Sequence, residues 1–324
     1  MGRIFSGIQP SGEITIGNYC GAIRNWVKLL DEYDSIFCVV DLHAITVLYD
    51  PKEMRERILA AASVNIAAGL DPEKCTLFTQ SDVPEHTELS WYFMTVTPMG
   101  DLGRMTQFKE KAKRHRENVN VGLFGYPVLQ VADILLYKAD TVPVGEDQVQ
   151  HIELSRDVAR KWNARFGDVF PEPQAKLSPT PRIMGLDGKT KMSKSMDNYI
   201  GLVEEPDSIR AKLSRAMTDE NRKRRNDPGN PDICNIFTLH KVFSQAEDVE
   251  MVNEECRRAG IGCVDCKKRL ADNMLKELDP IRERYRYLLA HPDDVRDALR
   301  TGAERCRTIA RATMEEVRRA MGLR

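Results

Sequence analysis

Two lysines separated by small hydroxyl residues stand in the segment Lys191-Met192-Ser193-Lys194-Ser195. Lysines and hydroxyls on a flexible loop are well suited to hold a triphosphate. The preceding residues, Gly185 to Thr190, contribute two glycines that let the backbone approach an anion closely. The segment therefore predicts phosphate chemistry, and a solvated basic turn is the alternative.

A second phosphate-binding segment is predicted near the N-terminus. The turn Gly7 to Gly12 and the segment Thr15-Ile16-Gly17-Asn18 lie where a first strand should deliver the chain to a helix start. Backbone N–H groups and the helix dipole favour a phosphate at such a position. Gly17 leaves room for a nucleotide base, and Asn18 can donate to an anionic oxygen. Taken alone, the segment could equally be a tight turn whose glycines serve the backbone.

Four of the eight cysteines are spaced as C-x₂₁-C-x₆-C-x₂-C, at Cys234, Cys256, Cys263 and Cys266. Four thiolates can hold a [4Fe–4S] cluster or a tetrahedral Zn²⁺ ion. Basic residues nearby suit the net negative charge of either complex, so the residues alone do not choose between them. The dispersed cysteines are interpreted as inert thiols: Cys20, Cys38, Cys75 and Cys306.

Alternating strands and helices must position these groups. Apolar runs predict strands over residues 3–8, 35–40, 75–79 and 141–144, with helical patterns between them. Short connections of this kind predict right-handed βαβ units and an α/β fold with a doubly wound parallel sheet. Ligands of such sheets bind at the carboxyl ends of the strands.

From about Glu204 the strand signals stop and long helical patterns follow, including Leu270 to Leu289 and Glu304 to Met321. A chain of 324 residues is long enough for two domains. We therefore predict a sheet domain over residues 1–203, which carries both phosphate-binding segments, and a helical domain over residues 204–324.

The overall charge gives no sign of a nucleic-acid partner, because 48 basic and 49 acidic residues leave a net charge of −1. Any such contact must come from local patches, of which residues 109–116 and 222–225 are the most basic. We interpret the second patch by itself as a solvated face. The sequence shows no signal peptide and no membrane span, so a cytoplasmic protein with free or metal-bound thiols is predicted.

Thr15 to Asn18 and Lys191 to Ser195 look like the two signature motifs of class I aminoacyl-tRNA synthetases, and Phe5 to Gly12 is similar to the bacterial tryptophanyl-tRNA synthetases. Thr15 and Asn18 stand where most class I enzymes have histidines, a variant that tryptophanyl enzymes commonly share. The likeness covers nearly the whole chain and includes residues 40–46, 105–111, 132–137 and 142–148.

The resemblance implies a Rossmann-like catalytic domain that activates L-tryptophan with ATP and Mg²⁺, and then transfers tryptophan to the 3′ end of tRNA(Trp). It also implies a homodimer, for which residues 87–97 are a candidate interface. The carboxylate of an amino acid is already ionised and can attack the α-phosphorus without a general base. Catalysis then depends on alignment and on cations that stabilise the leaving pyrophosphate. The implied catalytic residues are Lys111, Lys191, Lys194 and Gln9.

The nucleotide site is implied in more detail by the same resemblance. Gly145 and Asp147 would reach the ribose, Gln9 and Ser11 would lie beside the α-phosphate, and Ile183 would touch adenine through its backbone. The full implied ATP set is Gln9, Pro10, Ser11, Gly17, Asn18, Gly145, Glu146, Asp147, Ile183, Lys191, Met192, Ser193, Lys194 and Ser195.

Asp133 stands among the apolar residues Val131 to Leu136, where an unpaired carboxylate would be costly. It therefore needs a donor, and a salt bridge within the protein is one possibility. By resemblance the donor is the indole N–H of tryptophan, and a site built on that bond rejects analogues lacking it. The other residues implied for the tryptophan pocket are Tyr126, Gln148, Phe5 and His43.

A minority of tryptophanyl enzymes carries an iron–sulfur cluster on four cysteines of similar spacing, in the anticodon-recognition domain. The resemblance thus favours [4Fe–4S] over Zn²⁺ for the four cysteines. Three other functions are alternatives: a tyrosyl enzyme, a noncatalytic tRNA-binding or redox-sensing paralogue, and an iron–sulfur electron carrier. The intact signature motifs disfavour the last two.

Overall fold

Five parallel strands form one sheet in the order β3-β2-β1-β4-β5. The structure is a computed structural model that describes residues 1–10, 12–114, 116–178 and 183–323. The strands are β1 (Arg3–Ile8), β2 (Asp34–Val39), β3 (Thr76–Thr79), β4 (Thr141–Val144) and β5 (Gln174–Leu177). The predicted parallel sheet is confirmed.

The central strands are buried on both faces, as expected of a parallel sheet covered by helices. Strand β1 pairs with β2 from Arg3 opposite Asp34 to Ile8 opposite Val39, and β2 has five consecutive buried residues. Strands β1 and β4 have the predicted bounds, whereas β2 begins one residue before its predicted start and β3 begins one residue after it. Strand β5 was not predicted, because all four of its residues are exposed and it contains no apolar run.

Helices connect the strands and make up the described C-terminal part of the chain. Up to β4 they are α1 (Ile16–Asn18), α2 (Arg24–Leu29), α3 (Asp41–Ala44), α4 (Pro51–Ala67), α5 (Glu85–Met94), α6 (Met99–Arg104), α7 (Thr106–Arg114) and α8 (Val121–Leu135). Beyond β4 they are α9 (Val149–Phe166), α10 (Pro206–Arg215), α11 (Asn235–Phe243), α12 (Ala246–Arg257), α13 (Cys263–Ala290) and α14 (Pro292–Ala320). No helix within the described ranges is both long enough and apolar enough to cross a bilayer.

Local chemistry explains where the principal helices begin. Asp50 caps α4 by accepting a bond from the Lys52 N–H, and Pro51 occupies the first turn, where its missing N–H costs nothing. Asn120 caps α8 in the same way through the Leu123 N–H, at 2.8 Å. Helix α8 thereby starts at a fixed point, and its apolar residues then line the main core.

Helix α14 packs directly on the sheet through a close backbone contact. A Cβ on Gly302 would lie 1.9 Å from the carbonyl oxygen of Leu77 in β3, a separation that no side chain tolerates. The glycine therefore permits the helix to approach the strand, and it brings Cys306 into the core beneath the sheet.

The chain forms two compact units. The first comprises Met1–Gly12, Asn25–Ser178 and His291–Arg324, and the second comprises Glu13–Arg24 and Pro179–Ala290. The sheet belongs to the first unit, whereas both signature segments belong to the second. The predicted division into a catalytic part, residues 1–203, and an anticodon-recognition part, residues 204–324, is a statement about function and stays a prediction.

Candidate active site

Asp133 is the most deeply buried acid of the candidate site, at 1 % exposure within α8. Its Oδ1 accepts a bond from Gln80 Nε2 at 2.6 Å and lies 2.7 Å from His86 Nδ1. Its Oδ2 lies 2.8 Å from His43 Nε2. Burial by itself raises the pKa of the Asp133 carboxyl, but the hydrogen bonds from the two histidines outweigh burial and hold that pKa below its ordinary value.

Aromatic rings surround this carboxylate. Phe5 stacks on Tyr137 with ring centroids 5.6 Å apart, and His43 meets the edge of Tyr126 at 6.1 Å. The structure thus links four of the five predicted tryptophan-pocket residues to the same buried region. The fifth, Gln148, is partly exposed, and its Nε2 donates to Asp147 at 3.0 Å.

Lys111 lies over the ring of Tyr126, with its Nζ 3.9 Å from the ring centroid. Burial, and then the charge of Arg114, lower the pKa of Lys111. A cation over an aromatic face is attracted by the ring quadrupole. His151 contacts the Tyr126 hydroxyl at 3.2 Å, and burial, with help from Lys111, lowers the pKa of His151 to about 4. The imidazole of His151 is therefore neutral at pH 7.

Other predicted ATP residues follow the carboxyl ends of two neighbouring strands. Gln9 and Pro10 come directly after β1, and Gly145 comes directly after β4, which pairs with β1. Gly145 leads into a short 3-10 helix, Glu146–Gln148. This is the edge of a parallel sheet at which ligands bind. Ser11 lies outside the described residues.

The first signature segment is closed by a capping box. The Thr15 hydroxyl accepts a bond from the Asn18 N–H at 3.2 Å, and the Thr15 N–H donates to Asn18 Oδ1 at 3.1 Å. Thr15 is buried and Asn18 is exposed. Since the amide oxygen of Asn18 serves the helix start, its NH₂ group is the part suited to a bound anion.

The lysine segment follows a short hairpin that two polar side chains stabilise. Asn198, at 5 % exposure, accepts from the Ser193 N–H at 2.8 Å and donates to Thr190 Oγ1 at 2.8 Å. Asp187 accepts from the Thr190 hydroxyl and from two backbone N–H groups, and these bonds, the Thr190 hydroxyl first, lower the pKa of its carboxyl. A Cβ on Gly185 would lie 2.0 Å from the Asn198 amide nitrogen, so the hairpin requires glycine there.

The two lysines of the segment differ in burial, because Lys194 is half-buried and Lys191 is not. Lys191 is exposed, and Lys194 begins a 3-10 helix that ends at Met196. Ile183 and Met192 are buried beneath them, and the Met192 N–H donates to the Ile183 carbonyl at 3.3 Å. Of Ser195 only the backbone, within that 3-10 helix, belongs to the described part.

The two signature segments meet within the second unit. The Ile16 N–H donates to the Ile200 carbonyl at 3.0 Å, and Thr15 forms an antiparallel bridge with Gly201. A Cβ on Gly17 would lie 3.7 Å from the Cβ of Met192. Segments that are more than 170 residues apart in the chain are thus in contact, as a shared nucleotide site requires.

Comparison with known proteins decides the family. Residues 2–279 match the family described as tRNA synthetases class I (W and Y). The tryptophan–tRNA ligase of Deinococcus radiodurans is 54 % identical over 99 % of this chain and 99 % of its own length. That of Caldanaerobacter subterraneus is 48 % identical over 100 % of this chain and 99 % of its own. The crystal structure of Campylobacter jejuni tryptophanyl-tRNA synthetase complexed with ADP and tryptophan matches with a TM-score of 0.90, at 35 % identity and 99 % coverage of both chains.

The chain belongs to the class I tryptophanyl-tRNA synthetases. The family membership that the signature segments predicted is confirmed, and so is the Rossmann-like fold.

The cysteine region of this synthetase brings thiols close to one another. Burial first, and then the nearby thiols of Cys234, Cys256 and Cys263, raise the pKa of Cys266 to about 12. The Arg222 guanidinium lies 3.8 Å from Cys256 Sγ and 3.9 Å from Cys263 Sγ. Within residues 1–10, 12–114, 116–178 and 183–323, no group of three or more His, Cys, Asp or Glu side chains is arranged as a metal site. The metal therefore stays a prediction.

Sequence reasoning missed three residues that hold predicted functional groups in place, two of them in the first unit and one in the second. Gln80 and His86 donate to Asp133, and Asn198 accepts from the Ser193 N–H of the lysine segment. The need of Asp133 for donors was visible in its apolar neighbourhood, but its partners lie 53 and 47 residues away in the chain. Only the position of Gln80, directly after a predicted strand, could have marked one of them.

Proposed function

We propose that this chain joins L-tryptophan to tRNA(Trp) in two steps. A carboxylate oxygen of tryptophan attacks the α-phosphorus of ATP, the bond from that phosphorus to the bridging oxygen breaks, and pyrophosphate leaves. A ribose hydroxyl at the 3′ end of tRNA then attacks the carbonyl carbon of the adenylate, and AMP leaves. The neutral His151 and the ionised Asp133 take no proton from tryptophan, because its carboxylate is already ionised.

The buried carboxylate of Asp133 is the observation that carries the choice of amino acid. Oδ1 has two protein donors, whereas Oδ2 has one, His43, and retains accepting capacity for an indole N–H. An ionised carboxylate held in an apolar core favours a ligand that brings its own donor. Phe5 and Tyr126 supply apolar ring surface, and Tyr126 with Gln148 would hold the α-ammonium group.

Phosphate chemistry would fall to the lysines and to Mg²⁺. The exposed Lys191 and the neighbouring Lys194 would follow the charge that develops on pyrophosphate, with Met192, Ser193 and Ser195 shaping the loop around it. Mg²⁺ would supply further positive charge to the phosphates. Lys111 would be a third cation once it leaves the ring of Tyr126.

The remaining nucleotide contacts would come from the other residues predicted for the ATP site. These are Gln9, Pro10 and Ser11 at the α-phosphate, Gly17 and Asn18 at the first signature segment, Gly145, Glu146 and Asp147 at the ribose, and the backbone of Ile183 at adenine. The capping box of Thr15 and Asn18 supports this assignment, because it holds the first helix turn in the geometry that presents N–H groups to an anion.

A homodimer fits the surface of α5. Trp91 is 66 % exposed and Met94 is 40 % exposed, both within the predicted interface, residues 87–97. Large apolar side chains exposed side by side are typical of interfaces. We expect the protein to sediment as a dimer, and charge substitutions at Trp91 to produce monomers.

The four cysteines would hold a metal group in the helical part, with [4Fe–4S] favoured over Zn²⁺. Four thiolates are a donor set that such a group takes, and the other three thiols help to raise the pKa of Cys266, an effect that a cation bound by them would oppose. Arg222 would then neutralise part of the remaining negative charge. A bound group would tie α12 to the start of α13 and order the anticodon contacts. Anaerobically purified protein should be brown and contain iron; colourless protein with stoichiometric zinc would favour the alternative.

Tryptophan-dependent exchange of pyrophosphate into ATP is the direct test of the function. We expect exchange with tryptophan and, at equal concentration, about 10³-fold less with tyrosine, because tyrosine lacks the indole N–H at Asp133. Aminoacylation of unfractionated tRNA tests the second step. Faster exchange with tyrosine than with tryptophan would contradict the proposal and identify a tyrosyl enzyme.

A further inference from the structure

The two oxygens of the Asp133 carboxylate have different surroundings. Oδ1 faces Gln80 and His86, both of which are fully buried, and it lies within 2.7 Å of a nitrogen from each. Oδ2 faces His43, whose side chain retains 6 % exposure. Oδ1 thus has two protein donors, whereas Oδ2 has one, the slightly more exposed His43.

The proton on His86 Nδ1 is fixed by its partner. An ionised carboxylate can only accept hydrogen bonds, so His86 Nδ1, 2.7 Å from Oδ1, must carry the hydrogen. In the neutral imidazole the other nitrogen, Nε2, is then an acceptor. The hydroxyl of Tyr137 lies 2.7 Å from Nε2 and supplies the donor that this nitrogen needs.

Tyr137 is itself fully buried, and its hydroxyl interacts with the thiol of Cys306 on α14. Burial, followed by the charges of Cys306 and Cys38, raises the pKa of Tyr137, so its hydroxyl stays protonated and able to donate. When His86 is neutral, the bonds run in one direction, from the Tyr137 O–H to His86 Nε2 and from the His86 Nδ1–H to Asp133. A phenylalanine at position 137 would keep the ring stacked on Phe5 and remove only the first donor.

The direction of these bonds determines what Asp133 presents to a ligand. With a donor fixed on Oδ1, the carboxylate stays ionised and its plane is held, so Oδ2 is an acceptor. If the donor were lost, protonation of Asp133 would become easier, and a hydroxyl on Oδ2 would oppose an indole N–H instead of accepting from it. The histidine behind the carboxylate thus affects recognition of a group that it does not touch.

We propose that His86 and Tyr137 are positioning residues that set the selectivity of the tryptophan site for an N–H group. The proposal rests on the proposed role of Asp133 as the acceptor of that group. The two nitrogens of His86 have separate roles, since Nδ1 donates to Asp133 and Nε2 accepts from Tyr137, a bond that favours the same tautomer.

Two substitutions at position 86 separate these roles. The side-chain amide of asparagine reaches the place of Nδ1, whereas the amide of glutamine reaches the place of Nε2. His86→Asn therefore keeps a donor for Asp133, and His86→Gln removes it while keeping a partner for Tyr137. Both variants replace the imidazole by a neutral amide, so each is a matched control for the other.

The measurement compares tryptophan with its benzothiophene isostere, in which sulfur replaces the indole N–H. The kcat/KM of each is obtained by pyrophosphate exchange, and their ratio is the N–H selectivity. We expect His86→Gln to lower this ratio about 30-fold, since a bond to a charged group is lost, and Tyr137→Phe to lower it about fivefold. His86→Asn should stay within about threefold of the parent. The KM for ATP should be unchanged in all three.

Equal ratios in His86→Gln and His86→Asn would overturn the proposal, and so would an unchanged ratio in Tyr137→Phe. Asp133→Asn distinguishes this failure from failure of the proposed function. If Asp133→Asn keeps the parent ratio, Asp133 does not recognise the N–H and both ideas are wrong. If Asp133→Asn lowers the ratio while the His86 and Tyr137 variants keep it, only the proposed positioning role of His86 and Tyr137 is wrong. Should a His86 variant not fold, the milder Tyr137→Phe decides.

Discussion

The proposed tryptophan pocket and the lysine segment are built in opposite ways. Asp133 is 1 % exposed and has side-chain partners on both oxygens. One of these partners, His86, is itself bonded to Tyr137. Lys191 is exposed, and the side chain of Asn198 bonds to the backbone of the segment that carries it. The first region lies in the unit that contains the sheet, and the second lies in the other unit.

This contrast matches the two requirements of an amino-acid-activating enzyme. Selection between similar amino acids needs polar groups whose positions are fixed before binding, because an unsatisfied buried group is then the penalty for the wrong ligand. Stabilising a departing pyrophosphate needs cations that can follow the charge, so they belong on a segment with few tertiary bonds. We therefore expect substitutions in the pocket to change selectivity and substitutions in the segment to change rate.

Asp133→Ala should have the largest effect. We expect kcat/KM for tryptophan to fall about 10⁴-fold, because the substitution removes the acceptor and leaves the donors of His43, His86 and Gln80 unsatisfied. ATP binding by equilibrium dialysis should be retained. Asp168→Ala, an exposed acid of the same unit, is the control and should behave as the parent. Normal tryptophan kinetics in Asp133→Ala would remove this residue from the pocket.

In the proposed pocket, the sequence predicted the need of Asp133 for a partner but not which residues are its partners. The apolar surroundings of Asp133 predicted that it needs a donor, and the structure supplies three within the protein. Their identity did not follow from the sequence, because hydrogen-bond partners from α3, α5 and the end of β3 meet only after the sheet has formed. The parallel sheet itself was predictable, since buried strands are apolar runs. The exposed β5 was not, as its only structural signal is pairing with β4.

Lys194→Ala tests the other half of the comparison. We expect the single-turnover rate of adenylate formation to fall about 10²- to 10³-fold, the usual loss when one charge-stabilising group is removed. The N–H selectivity should not change. The matched control is Lys189→Ala, since Lys189 is an exposed lysine of the same hairpin whose ammonium pairs with Glu220 at 3.0 Å. An equal loss in both variants would indicate a general electrostatic effect in place of a specific one.

Asn198→Ala should loosen the lysine segment without touching either lysine. The substitution removes the acceptor of the Ser193 N–H and the donor to Thr190 Oγ1, so the hairpin opens more often. We expect trypsin to cleave after Lys191 about tenfold faster, and ATP to slow that cleavage. Asn163→Ala is the control, because Asn163 holds the Val169 and Phe170 N–H groups of a loop in the sheet-containing unit. Cleavage at the parent rate in Asn198→Ala would show that the hairpin does not depend on this side chain.

Substitution of Asn235 should have the smallest effect on the lysine segment. It lies one residue after Cys234, is buried, and donates its Nδ2 to the Gly185 carbonyl at 2.8 Å, at the base of the hairpin. Asn235→Ala should raise trypsin cleavage after Lys191 about threefold, because one buried bond is lost.

Asn235→Asp should raise that cleavage further, although an acid in the first turn favours helix α11. A carboxylate accepts and cannot donate to the Gly185 carbonyl, so it repels the hairpin while it suits the helix. Faster cleavage with an unchanged unfolding midpoint would show that the cysteine region positions the lysine segment through this one amide. Slower cleavage in Asn235→Asp than in Asn235→Ala would mean that the stability of helix α11, and not the bond to the Gly185 carbonyl, governs the lysine segment.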